Sequence, residues 1–304
     1  MSDAYHEGSL AVQDRVGVRE LAAHVGRSIG TGIRDVAAAF LELQPHLVVG
    51  AADGTGRMWA SLLTGAPGFV RATGPDRITV AGGLPAGDPL AQALATAGTR
   101  VGTIALDPRT RRRMRLNGTT EVTGRGFAVR AEQVFSNCPK YMQKRQPLEV
   151  AAEGAGVVGR GDTLTPGMRR AVRAADTFFV ATTAADGADV SHRGGLPGFV
   201  EVLSPVELAW PDYAGNAMFL TLGNLAADPR AALLFPDWES GAVLQLSGRA
   251  RTEFGADASR TIRFRVESVV ESLHPGRLRW SAPEYSPAHP APPSPPPHRG
   301  STTR

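Results

Sequence analysis

The chain of 304 residues holds one cysteine, Cys138, and two lysines, Lys140 and Lys144. A lone cysteine excludes an intrachain disulfide, an all-cysteine metal site and an iron–sulfur cluster held by four cysteines. His6, His289 and His298 show no metal-ligand spacing either, so no metal is expected. With so little lysine, nearly all of the 33 basic residues are arginine, a pattern of GC-rich coding bias. The formal charge is only +4, a weak electrostatic footprint, and no nucleic-acid partner is expected. No run of 18 apolar residues occurs, so no membrane span is expected. The N-terminus lacks a basic stretch followed by an apolar one; no secretory signal is expected and the location is read as cytoplasmic. Against these absences, an apolar fraction of 42% and a charged fraction of 20% are globular values, and the length suits two domains.

What is present is a repeat. Residues 61–70 read SLLTGAPGFV and residues 191–200 read SHRGGLPGFV, an offset of 130. The offset persists downstream, where Leu116 and Gly118 fall on Leu246 and Gly248. Ala52-Asp53-Gly54 falls on Ala185-Asp186-Gly187 once three extra residues are allowed. A period this long implies a duplicated domain rather than a solenoid.

In chain order, residues 1–44 form a helical leader whose apolar residues recur every three to five positions. Gly26, Gly30 and Gly32 divide it into two helices, and it is expected to pack on the first barrel. Residues 45–144 form the first copy, 145–162 a small-residue linker, and 163–280 the second copy. Within each copy, short apolar runs of four to ten residues are separated by Asp-Gly and Pro-Gly turns, with one short helix before a buried strand. This implies a mainly β fold of antiparallel barrels. Residues 281–304 are rich in Pro, Ser, Ala and His, and are expected to be a disordered tail.

Three segments of the second copy carry a resemblance: SHRGGLPGFV at 191–200, GNAMFLTLGNL at 215–225 with DPRAALLF at 228–235, and LQLSGRA at 244–250. Together they resemble the pyridoxamine 5′-phosphate oxidase-like split barrels that bind FMN. The chain to about Trp280, with NCPKY at 137–141, is similar to a two-barrel module found ahead of ferredoxin-reductase-type domains. The resemblance implies tandem antiparallel split β-barrels, FMN as cofactor and oxidoreductase chemistry. It departs from the oxidases at Leu220 and Thr221, where the family's phosphate-binding Arg-Lys pair would fall. The substrate-binding His and Arg also have no counterpart at 277–280.

On this resemblance the cofactor residues are Ser191, His192, Arg193, Gly194 and Gly195, then Asn216, Met218, Thr221 and Asn224, then Gln245 and Ser247. Ser191 and Arg193 share one face of a strand and His192 the other, while the two glycines would let a ring approach the backbone. A bulge with a solvated arginine, capping by Asn and Thr, and a wet outer strand face are the structural alternatives at these three groups. In the first copy His192-Arg193-Gly194 becomes Leu62-Leu63-Thr64, so that copy reads as degenerate. Trp59 and Ser61 could still cover the ring, although core packing suits Trp59 better. Arg109 to Arg115 holds five arginines; a charged hairpin edge suits it better than a phosphate ridge. Cys138 reads as a buried structural thiol.

The expectation is an FMN flavoprotein, with an intrachain pseudo-dimer or a homodimer. It would use the flavin on a small-molecule substrate or electron-transfer partner. No acid or base stands out. The alternatives are a non-catalytic flavin, deazaflavin or haem carrier, and a cofactor-free module docking a separate reductase.

Overall fold

A computed structural model describes residues 4–136, 139–149, 156–185, 187–273 and 278–290. Three short helices lead in: α1 (Glu7–Val16), α2 (Arg19–Gly26) and α3 (Asp35–Glu42). The first sheet comprises β1 (His46–Ala52), β2 (Met58–Thr64), β3 (Val70–Gly74), β4 (Arg77–Ala81), β5 (Arg100–Asp107), β6 (Arg112–Thr123) and β7 (Gly126–Ser136). The short α4 (Ala91–Leu94) lies between β4 and β5. After β8 (Pro147–Glu149), β9 (Gly156–Gly161) and α5 (Pro166–Ala174) comes the second sheet. It holds β10 (Thr177–Ala184), β11 (Gly187–Gly194), β12 (Glu201–Ser204), β13 (Glu207–Pro211), β14 (Arg230–Pro236), β15 (Ala242–Phe254) and β16 (Arg260–Leu273). The helix α6 (Leu220–Ala227) lies between β13 and β14, and β17 (Leu278–Trp280) pairs with β8.

The first sheet runs β2-β1-β5-β6-β7-β4-β3 and the second β11-β10-β14-β15-β16-β13-β12, with β9 added at β16. Counted from the first strand of each, the order is the same, and the pairings are antiparallel. The long hairpins even bulge at matching places, Asn117/Gly118 and Ser247/Gly248. At both glycines a Cβ would lie 1.9 Å from a carbonyl oxygen of the neighbouring strand, so only glycine allows the ladder to close there.

Each barrel has its own core. Leu47, Val49 and Ala51 of β1 point into the first, and Phe178 and Val180 of β10 into the second. The alternate residues do not face water. Val48, Ile104, Phe179, Ala181 and Val190 meet in a third apolar layer between the barrels. Burial on both faces is why β1 and β10 read as continuous apolar runs instead of alternating ones. At Gly50 a Cβ would stand 2.6 Å from both Ala181 Cβ and Val190 Cγ2, which measures how closely the sheets approach.

Four expectations change. The leader forms three helices, because Gly17 in the left-handed region (φ 73°) ends α1 early. It is also shared between the barrels: α3 buries Phe40 and Leu41 in the first core, but Val12 of α1 enters the second. There the α1 side chain Gln13 donates from Nε2 to Met218 O at 3.0 Å. The linker is partly built in, with Arg145 buried against Asp176 at 2.6 Å and β9 paired to β16. Residues 281–290 are held too: Lys144 and Glu284 exchange backbone hydrogen bonds of 2.9 Å, and the His289 ring meets Gln143 Oε1 at 2.8 Å. Cys138, Asp186, His298 and the tail from 291 lie outside the described residues. Among the described residues no helix is long and apolar enough to cross a membrane, and no three His, Cys, Asp or Glu side chains gather as a metal site.

Candidate functional site

A cavity of about 120 Å³ opens where β11, the loop before α6 and the first turn of α6 meet β6 of the other barrel. Ser191, His192, Arg193 and Gly194 come from β11, and Asp212, Tyr213, Asn216 and Met218 from the loop. Leu220, Thr221 and Leu222 come from the helix, and Lys140 and Tyr141 from the segment joining the barrels. Arg113 and Arg115 reach in from β6. The strand period of two puts them on one face of β6, and the inter-barrel packing turns that face towards the second barrel.

Four cationic side chains, Arg113, Arg115, Lys140 and Arg193, thus line a cavity whose one lining carboxylate is Asp212. Asp212 is itself held by Arg260 at 2.9 Å and lies 4.0 Å from Arg193. Burial, together with the nearby Arg115, lowers the Arg193 pKa, opposed by Asp212. Arg115 is 5% exposed and pairs with Asp189, which also accepts from Asn117 Nδ2 at 3.1 Å. Its Nε finds no hydrogen-bond partner among the described residues. A buried pair of this kind is costly to desolvate and persists only when held from several sides.

His192 is buried edge-on to Phe179, with ring centroids 5.8 Å apart. Arg113 Nη1 lies 2.9 Å from His192 Nδ1. A guanidinium can only donate, so Nδ1 accepts and the ring proton sits on Nε2. Burial first, then the charges of Arg113 and Arg193, push the imidazole well below its usual 6.5, so it is neutral at neutral pH.

The N-terminus of α6 adds to the positive field. Its N-cap, Phe219, offers no side-chain acceptor, so the first-turn amides have no side-chain cap. Phe219 (φ 54°), Ala217 (φ 62°) and Tyr141 (φ 61°) are all non-glycine residues in the left-handed region, and all line the cavity. Strain of this order gathers where a loop is held for a purpose beyond packing.

Of the residues expected at a cofactor, the structure brings Ser191, His192, Arg193, Gly194, Asn216, Met218 and Thr221 to the cavity. Thr221 Oγ1 donates to Ser191 Oγ at 3.0 Å, and Asn216 Oδ1 accepts from Met218 N. Six others go elsewhere. Asn224 donates to Thr182 Oγ1 at 3.0 Å and its Oδ1 meets the His6 ring at 2.8 Å. Gln245 donates to Ala60 O and Ser61 Oγ of the first barrel, and Ser247 is buried outside the cavity lining. Trp59 is in the first core with Nε1 on Asp53, and Ser61 bonds Asp88, so neither covers the cavity. Gly195 is a packing glycine, since its Cβ would stand 2.3 Å from Phe199 Cγ. The same holds at Gly194, where the carbonyl oxygen of Tyr141, and not a ligand ring, occupies the space a Cβ would need.

Arg113, Arg115, Lys140, Tyr141, Asp212 and Tyr213 were missed. The signal for the two arginines was their shared face in the 109–115 run. The solvated-edge reading holds for exposed Arg109, paired with Asp107, but not for Arg115.

Residues 164–274 match the family model for pyridoxamine 5′-phosphate oxidase. No curated protein matches the chain. Among similar solved structures is a protein of the pyridoxinephosphate oxidase family from Clostridium acetobutylicum related to general stress protein 26 (14% identity, TM-score 0.27, 36% of this chain and 88% of that one). Another is a FAD-binding protein from Mesorhizobium loti (13%, 0.27, 37% and 97%). A third is HutZ, a heme storage protein from Vibrio cholerae (15%, 0.27, 36% and 94%). Most of the second barrel is thus similar in sequence to the pyridoxamine 5′-phosphate oxidase family.

Proposed function

We propose that the cavity between β11, α6 and β6 binds FMN and that the chain is a flavoprotein whose two barrels act as an intrachain pseudo-dimer. The observation that carries this reading is the meeting of Arg113, Lys140 and Arg193, beside the Asp189-paired Arg115, with a helix N-terminus that has no side-chain cap, opposite one carboxylate already held by Arg260. Such a site favours a dianionic phosphate, since a helix N-terminus and guanidinium donors line one cavity. Arg193, Arg113 and the first-turn amides of α6 would hold the phosphate, with Ser191 and Thr221 supplying hydroxyls. The enclosed volume suits the phosphate end, which leaves the ring system to the mouth near Tyr141 and Tyr213.

When bound, the flavin supplies hydride or electron transfer. The chain's own part is to bind, orient and exclude water. His192 is kept neutral with its proton on Nε2, a fixed donor rather than a base. Hydride transfer to or from a small substrate or redox partner needs no further acid, and Asp212 is the one carboxylate among the described residues that line the cavity.

The visible spectrum of the purified protein is the first test. Flavin bands support the reading. A Soret band would assign the cavity to haem, and a colourless protein that does not take up added FMN would leave a docking module. The second test is released flavin per chain, expected near one.

A further inference from the structure

A second cavity, of about 420 Å³, lies on the other side of Arg113, between α3 and the β6–β7 hairpin. Arg34, Arg112 and Arg113 are on its wall, and no Asp or Glu is among the residues that line it. Its apolar side is Phe40, Met114, Val134 and Phe135, with Val36 of the first turn of α3 left 63% exposed at the rim. The Arg112 guanidinium stands 5.5 Å from the Phe40 ring centroid. The first turn of α3 has no side-chain cap, which adds a further positive end to the same wall. Apolar side chains beside two arginines, Arg34 and Arg112, that form no ion pair among the described residues mark a binding groove.

We propose that this cavity binds a small amphipathic anion, a molecule with an apolar ring or chain and one carboxylate, sulfonate or phosphate head. The head meets Arg34 and Arg112, and the apolar body lies on Phe40, Met114 and Phe135. Charge complementarity selects an anion, and the apolar lining rejects small inorganic ions that have no body to bury. Because Arg113 lines both cavities, the bound molecule sits next to the proposed flavin site and is placed as its reaction partner. That role rests on the flavin reading, while the binding itself does not.

Gly30 offers a clean way to test it. It lines the cavity, has no positive φ, and a Cβ there would meet nothing within 4 Å. Gly30→Trp therefore plugs the space without backbone strain. The probe is 8-anilinonaphthalene-1-sulfonate, titrated by fluorescence into the full chain, with flavin content measured separately on each protein. One saturable site is expected in the parent. The Arg34→Ala/Arg112→Ala double variant should bind about tenfold more weakly, and Gly30→Trp should lose the site, both with unchanged flavin content. No binding by the parent, or equal binding by the double variant, overturns the proposal whether or not Gly30→Trp folds. Loss of flavin from the parent with dye binding intact would instead sink the flavin reading alone.

Discussion

At Ser191 of the second barrel the neighbours are Thr221, Asp189 and, beyond Asp189, Arg115 from the first barrel. At Ser61, the matching place in the first barrel, they are Asp88 and, from the second barrel, Gln245. Gln245 stands at the repeat position of Arg115, and Thr64 at that of Gly194. One place therefore has guanidinium groups and a cavity, and the other a closed network. Asp88 accepts from Ser61 Oγ at 2.7 Å, from Leu90 N at 2.9 Å and from Gln245 Nε2 at 3.2 Å, and burial raises its pKa. A carboxylate so placed repels a phosphate. The same fold can thus carry a cavity or a filled copy of it, and Arg115 against Gln245 at matched positions is one difference between the two.

The comparison predicts its largest effect at the two cross-barrel residues. Arg115→Met leaves Asp189 buried with only Asn117 and Ser191, and should cost about 3–5 kcal/mol in urea denaturation. Gln245→Met removes the hydrogen bonds of an uncharged amide, one of them to Asp88, and should cost about 1–3 kcal/mol. Equal losses would mean that the halves are not differently charged inside.

Next is affinity. Arg193→Ala removes a charge-assisted contact worth roughly 1.5–3 kcal/mol, so FMN should bind about tenfold or more weakly to apo-protein. Unchanged affinity would take Arg193 out of the site. A flavin ratio near two per chain would break the comparison altogether, since Ser61 and Asp88 would then have to accept a phosphate.

A smaller effect separates the halves by pH. The unfolded chain protonates each imidazole near 6.5. In the folded chain His192 is held well below that value, and His46, buried between Trp238 and Trp280, is held at about 4. The folded state binds fewer protons in this window, so stability is full above 6.5 and is lost as pH falls towards 4. Each group contributes a slope of up to about 1.4 kcal/mol per pH unit. Asp88 has the opposite sign: its raised pKa gives stability at low pH that is lost as pH rises through the folded value. His192→Gln should flatten the acid limb by one group. An unchanged limb would mean that His192 is protonated in the fold.

The least effect is expected from removing residues 284–304. The sequence reading makes this neutral, but the Lys144–Glu284 pairing and the His289 contact predict a loss of about 1–2 kcal/mol. A melting temperature equal to that of the full chain would show that the strap contributes nothing.

The strands were legible because turn signals and short apolar runs are local. The Asp53-Gly54 turn lies between β1 and β2, and the Pro-Gly turns at 67–68 and 197–198 lie just before β3 and β12. Seven of thirteen expected site residues reach the cavity, all on β11 or beside α6, where neighbours in sequence are neighbours in space. Gln245, Ser61 and Arg115 were misplaced for one shared reason. Their partners come from the other barrel, and a pattern within one copy does not show which face meets its twin. The leader and residues 281–290 were hidden for a similar reason, since Gln13 to Met218 and His289 to Gln143 are contacts between distant parts of the chain.

The apolar layer that joins β1 and β5 to β10 and β11 has a consequence for synthesis. The first barrel is complete in sequence at Ser136, yet Val48, Met58, Ile104 and Leu106 have no cover until β11 and β14 are made. About a hundred further residues, at roughly 5–20 residues per second, keep that wall bare for about five to twenty seconds on the ribosome. The first half of the chain thus emerges with an apolar wall that is covered only when its sister sheet arrives.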